Sequence, residues 1–178
     1  MNLDETSVRE GYQELGVDEY YKEKAMTYHN PHERIVHNLL DDFLTQEIEL
    51  DKDARILDLC CGSGEITSYL KEQGYENIVG LDPYTDELYK EKTNQDCINL
   101  DFKDIANSKL ADEKFDVIFC SFALHLAETS MLPTILYNLK MSSPNLVILT
   151  PHKKPDIKDF YKLDKELYKE KVRLRYYT

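Results

Sequence analysis

A doubly wound α/β fold is what this sequence predicts: a mostly parallel sheet of about six strands, with helices on both faces. Short apolar runs recur at residues 55–60, 77–82, 97–102, 115–122 and 145–150. Helix-patterned segments separate them, and that alternation implies βαβ units. The first run ends in small residues and glycines that lead straight into a helix, as at the ligand-binding edge of an open α/β sheet.

The elements follow in order. Residues 1–17 form a flexible or loosely helical lead. Residues 18–47 read helical, because Ile35, Val36, Leu39, Leu40 and Phe43 fall at helical spacing and Asn30-Pro31 is a start signal. A polar turn at 51–53 precedes the first strand, 55–60. A helix over 65–73 turns Ile66, Tyr69 and Leu70 to one face and stops at Gly74. Strand 77–82 leads to a polar helix over 85–93 capped by Thr85. Strands 97–102 and 115–122 precede a helix over 128–141, whose Met131, Ile135, Leu136 and Leu139 share a side. Strand 145–150 is followed by a helix over 156–170. Residues 171–177 then alternate like a half-exposed strand whose direction the pattern leaves open. Nothing marks an internal boundary, so 18–178 is expected to be one domain with a core at 55–150 and a short C-terminal helix and strand at 151–178.

Composition narrows the function. The chain has 178 residues and a net charge of -12, from 22 Lys+Arg against 34 Asp+Glu. A phosphate backbone would repel so acidic a domain, so no direct nucleic-acid binding is expected. No apolar run approaches the roughly 20 residues of a membrane span. The polar, acidic start has no apolar stretch, so a cytoplasmic protein without membrane attachment is expected. The four cysteines, Cys60, Cys61, Cys97 and Cys120, contain no CxxC pair. They read as buried, reduced thiols, and no metal site is expected. A set from His29, His32 and His37 is disfavoured, because Pro31 interrupts the helix and no acidic ligand is placed.

The informative stretch is Asp58-Leu59-Cys60-Cys61-Gly62-Ser63-Gly64. Gly62 and Gly64 allow a sharp turn and a close approach to a ligand, and the following helix offers free N–H groups. A dinucleotide fingerprint needs a third glycine where Thr67 stands, and no Gly-Lys-Ser/Thr phosphate loop occurs. Asp82, at the end of the second strand, suits a ribose diol, since a carboxylate accepts two hydroxyl hydrogen bonds.

The series D-x-C-x-G-x-G (58–64), LDP (81–83) and LDF (100–102) resembles a class I S-adenosylmethionine-dependent methyltransferase with a Rossmann-like fold, over about residues 55–150. The resemblance implies S-adenosyl-L-methionine as cofactor and S-adenosyl-L-homocysteine as product. It implies that Asp58 holds the cofactor's amino-acid end and that Cys60, Gly62 and Gly64 form the turn beside the methionine and ribose. Asp82 would bind the ribose hydroxyls, Pro83 would flank the adenine, Asp101 would take the adenine amino group, and Phe102 would pack there or donate its N–H. Cys120 and Ser121 would pass beneath the methyl group. The N-terminal helix, 18–47, would fold over the cofactor as a lid and bring Tyr28 to the pocket. Ordinary packing of that helix on the sheet is the other reading. Cys60 replaces the family's first glycine, which a small side chain tolerates if its φ is negative.

The segment Cys120-Ser121-Phe122-Ala123-Leu124-His125 lacks the Asn/Asp-Pro-Pro-Tyr/Phe of amide and exocyclic-amine methyltransferases. It is similar instead to the broad ubiquinone-biosynthesis-type group. His125 is the titratable side chain placed to act as general base, or else it packs under the loop. The basic segment His152-Lys153-Lys154-Pro155 follows the fifth strand on the ligand-binding rim and reads as an anion-docking or solvated loop. No insertion large enough for a substrate domain is present. The N-terminal segment, the short rim loops or a protein partner would therefore complete the pocket. The function expected is methyl transfer to a small-molecule or protein acceptor. The alternatives are a silent cofactor-binding partner subunit or a nicotinamide-dependent oxidoreductase. Asp116 reads as structural.

Overall fold

The computed structural model describes residues 31–178, together with Gly16 and Glu19. Helix α1, Glu33–Asp42, begins after Pro31 and continues into a wider turn over Phe43–Glu47. Strand β1 is Ile56–Leu59, helix α2 Glu65–Glu72, strand β2 Ile78–Leu81 and helix α3 Asp86–Thr93. Strand β3 is Cys97–Ile98, helix α4 Phe102–Ala106, strand β4 Val117–Ser121 and helix α5 Leu132–Ser142. Strands β5, Leu146–Thr150, β6, Leu163–Lys169, and β7, Val172–Tyr177, complete the sheet.

The strand order is β3-β2-β1-β4-β5-β7-β6. The first five are parallel, and β7 runs antiparallel to both β5 and β6. Strand side chains alternate between two cores. Ile56, Val117, Phe119, Val147 and Leu149 pack under α1 and α2. Leu57, Leu59, Ile118, Cys120 and Ile148 pack under α4 and α5. Both faces are buried, which is why the strands read as apolar runs.

Three expectations are corrected. The sheet has seven strands, not about six, and the segment expected as a helix over 156–170 holds β6 instead. That segment is rich in helix-forming Lys, Glu and Leu, but its buried apolar residues, Ile157 and Tyr161, both precede β6, so propensity did not decide. Glu170 and Lys171 both adopt positive φ, +47° and +70°, and reverse the chain into a hairpin with β7. The ladder then pairs the β7-facing backbone groups of β6. The exposed charges of β6 suit an edge strand. The strand expected at 97–102 ends at Ile98, because Asp101 and Asp104 form a reciprocal capping box that starts α4. Of the segment 18–47, the described part packs on the sheet beside α2, β6 and β7. Tyr20, Tyr21, Tyr28 and His29 lie outside the described residues.

Asp116 accepts a hydrogen bond from the Arg55 N–H at 2.7 Å, at the amino end of the sheet and away from the loops described next.

Candidate active site

Leu59 pairs with Leu81 on one side and Cys120 on the other, so the carboxyl ends of β1, β2 and β4 lie level. The residues that follow them therefore meet at one edge. After β1 the chain turns through three positive φ values, +57° at Cys60, +55° at Gly62 and +90° at Gly64. The negative φ expected at Cys60 is not what the fold imposes. A left-handed conformation costs an L-residue about 1 kcal/mol. The turn is anchored by the Cys61 N–H on the Leu81 carbonyl at 3.2 Å and the Gly64 N–H on the Cys61 carbonyl at 2.9 Å.

Asp82 is buried and ties this turn to β2. Its Oδ2 accepts from the Gly62 N–H at 3.3 Å, and its Oδ1 from the N–H groups of Tyr84 at 2.8 Å and Thr85 at 3.1 Å. Thr85 takes the N-cap position of α3, but its side chain makes no cap bond. Burial raises the Asp82 carboxyl above the usual range, against the pull of those donors. Oδ2 keeps acceptor capacity, because a carboxylate oxygen accepts about two bonds and this one has a single long contact.

Asp58 is fully buried. Its Oδ2 accepts from the Thr67 hydroxyl at 2.7 Å and the Thr67 N–H at 3.2 Å. Burial pushes its carboxyl up to about 8. Glu65 and Asp82 add to the rise, and the Thr67 donors oppose it. Asp101 is half-buried. Its Oδ1 accepts from the Asp104 N–H at 2.8 Å, as the helix cap.

These residues line a cleft of two compartments. The wider one has apolar walls from Pro83, Phe102, Ile105, Leu126 and Met131, with Asp82 and Asp101 among them. The smaller one is lined by Asp58, Glu33, Glu65, Val36 and Ile66. Cys60, Gly62 and Ser121 border both. Ser121 Oγ is buried there with no hydrogen-bond partner among the described residues.

The cleft thus gathers Asp58, Cys60, Gly62, Asp82, Pro83, Asp101, Phe102 and Ser121. Gly64 sits behind the wall as the N-cap of α2, and Cys120 is buried in the core. Tyr28 lies outside the described residues. His125 is not on the cleft wall. Its ring lies tilted against His152 at 4.3 Å between centroids, and its buried Nδ1 has no partner among the described residues. Burial first, and His152 second, lower its pKa to about 4, so it is neutral at pH 7. His32 stacks on Phe122 at 5.1 Å, and His37 lies against Tyr69. The described residues contain no cluster of three His, Cys, Asp or Glu side chains fit for a metal. All four cysteines are free, with Cys61 Sγ 3.7 Å from Cys97 Sγ.

Sequence reasoning missed Thr67, Tyr89, Leu126 and Met131. Thr67 counted only against a dinucleotide. Its hydroxyl, three residues past Gly64, gave no signal of the carboxylate it bonds. Asp101-x-x-Asp104 was the readable signal for α4.

A family model described as a methyltransferase domain matches residues 56–141. That span runs from β1 through α5 and contains the acids and the glycine turn. Residues 56–141 are a methyltransferase domain, and the chain has the class I S-adenosylmethionine-dependent methyltransferase fold.

Among relatives of this chain, an uncharacterized protein of Schizosaccharomyces pombe is 32% identical, over 85% of this chain and 77% of that protein. The magnesium protoporphyrin IX methyltransferase of Synechocystis, solved with S-adenosylmethionine, aligns with a TM-score of 0.64 at 14% identity, over 97% of this chain and 94% of that one. The N-methyltransferase NodS of Bradyrhizobium japonicum, solved with S-adenosylhomocysteine, aligns with a TM-score of 0.64 at 14% identity, over 95% and 96% of the two chains. These two solved structures share the fold. No helix among the described residues is long and apolar enough to cross a membrane.

Proposed function

We propose that this protein transfers the methyl group of S-adenosylmethionine to a small-molecule acceptor, with a protein side chain as the second choice. The observation that supports it most directly is the two-compartment cleft, in which the chemistry of each part matches one part of the cofactor. The wider compartment offers apolar walls for an adenine, Asp82 for the ribose diol and the remaining oxygen of Asp101 for the exocyclic amine. The smaller one offers carboxylates for an ammonium group. The orphaned Ser121 Oγ stands between them, where a bound group would give it a partner.

The cofactor supplies an electrophilic methyl group on a sulfonium. The chain's part is to hold it, to align the acceptor and to take a proton where the acceptor loses one. The connections after β4 and β5 are short, so rim loops, the N-terminal segment or a protein partner complete the acceptor side.

Calorimetric titration with S-adenosylmethionine, S-adenosylhomocysteine and NADH tests this reading. Micromolar binding of the first two and none of NADH is expected. Binding of NADH alone would return the protein to nucleotide-dependent redox chemistry. His125 is proposed as general base on its place between Ala123 and Leu126, which line the wider compartment, although its lowered pKa makes the buried ring a weak base. His125→Ala is then expected to keep S-adenosylhomocysteine affinity and lower turnover roughly 100-fold. Unchanged turnover would make His125 a packing residue.

A further inference from the structure

The ring of Tyr89 occupies a slot that two glycines create. A Cβ on Gly80 would lie 2.6 Å from its Cζ, and a Cβ on Gly64 would lie 3.1 Å from its Cδ2. Tyr89 is fully buried, although it comes from a polar helix, α3. The slot delivers its hydroxyl to Thr67 Oγ1 at 2.8 Å, and the Thr67 hydroxyl in turn donates to Asp58 Oδ2 at 2.7 Å. The single Thr67 hydroxyl proton is spent on Asp58, so Tyr89 is the donor to Thr67. Asp58, Thr67 and Tyr89 are all buried, and the chain joins β1, α2 and α3 beneath the smaller compartment.

We propose that Thr67 and Tyr89 are positioning residues: their hydrogen-bond relay fixes one oxygen of Asp58 and leaves the carboxylate set to receive the cofactor's ammonium group. The inference rests on the cofactor reading above. A relay of donors favours the ionised form of Asp58, which burial opposes. The other groups facing Asp58 are acids and thiols: Glu65 from the start of α2, Asp82 from the end of β2, Glu33 across the compartment from α1, and Cys60 and Cys61 in the turn. None of them favours the charged carboxylate, so the relay, the Thr67 N–H and the bound ammonium do. With its pKa raised to about 8, the Asp58 carboxyl keeps its proton at neutral pH. Ammonium binding must expel that proton, and affinity therefore rises with pH up to about 8.

The test is S-adenosylhomocysteine affinity of the full chain, by calorimetry between pH 6 and pH 8.5. Each variant is compared with wild type at the same pH, so the ligand's own amine cancels. Thr67→Val, which keeps the volume and removes the donor, is expected to weaken binding about tenfold at pH 7 and about threefold at pH 8.5. Thr67→Ser restores affinity to within about twofold, and Tyr89→Phe shifts the profile in the same direction by a smaller amount. A Thr67→Val loss that is the same at both pH values, or that Thr67→Ser does not rescue, assigns Thr67 to packing and overturns the relay. Should Thr67→Val fail to fold, an unshifted Tyr89→Phe profile overturns it. A wild-type protein that does not bind S-adenosylhomocysteine at any pH overturns the cofactor reading and the relay together.

Discussion

Asp82→Ala is expected to weaken S-adenosylhomocysteine binding by at least about 100-fold while the protein stays folded. A ribose diol would give two hydrogen bonds to this carboxylate, and a bond to a charged acceptor contributes about 1.5–3 kcal/mol. Losing both accounts for that factor. The fold tolerates the change because two effects oppose each other. Three backbone donors, from Gly62, Tyr84 and Thr85, lose their acceptor, but an acid that burial disfavours is removed with it. The Gly62 N–H held by Asp82 also belongs to the turn that borders both compartments, so loosening it adds to the binding loss more than to the stability loss. Asp82→Asn keeps an acceptor oxygen in place and should lose less. Calorimetry with a parallel thermal melt checks both halves. Affinity within threefold of wild type would remove Asp82 from the site.

Gly64→Ala is the second large effect, this time on stability. Gly64 has φ +90°, and an added Cβ would lie 2.4 Å from Thr93 Cγ2. Backbone strain and overpacking of a buried position each cost about 1–3 kcal/mol. Together they should lower the melting temperature by about 10 °C in a domain of this size. Gly74→Ala is the matched comparison. Its φ is +91°, but its nearest contact would be Lys52 Cδ at 3.9 Å. It carries the strain without the crowding and should cost about 1 kcal/mol. Equal losses in the two variants would show that Thr93 and Tyr89 yield freely, and the slot around Tyr89 would then not be the rigid one described.

Local pattern carried the middle of the chain because its signals are local. Strands buried on both faces must be apolar throughout, so β1, β2, β4 and β5 are visible as runs. A turn at the carboxyl end of β1 needs small residues, so the glycines mark it. Asp82, at the end of its strand, is recognisable from its place in that order. The tail was misread for the opposite reason: β6 buries almost nothing, so its Lys- and Glu-rich sequence resembles an exposed helix. Its strand conformation comes from pairing with β7, a partner that no window of sequence contains.

The sequence by itself determined the parallel α/β core, the edge at which the site lies and three of the acids that line it, Asp58, Asp82 and Asp101. Each of these follows from residue type and position along a strand or turn. Tertiary structure decided the left-handed Cys60, the seventh strand, the retreat of His125 to His152 and the Tyr89–Thr67–Asp58 relay. In each case the deciding partner lies on another element: Leu81 for the turn, β7 for β6, His152 for His125 and α3 for Asp58. Only the packing of the folded sheet brings those groups within hydrogen-bonding or van der Waals reach.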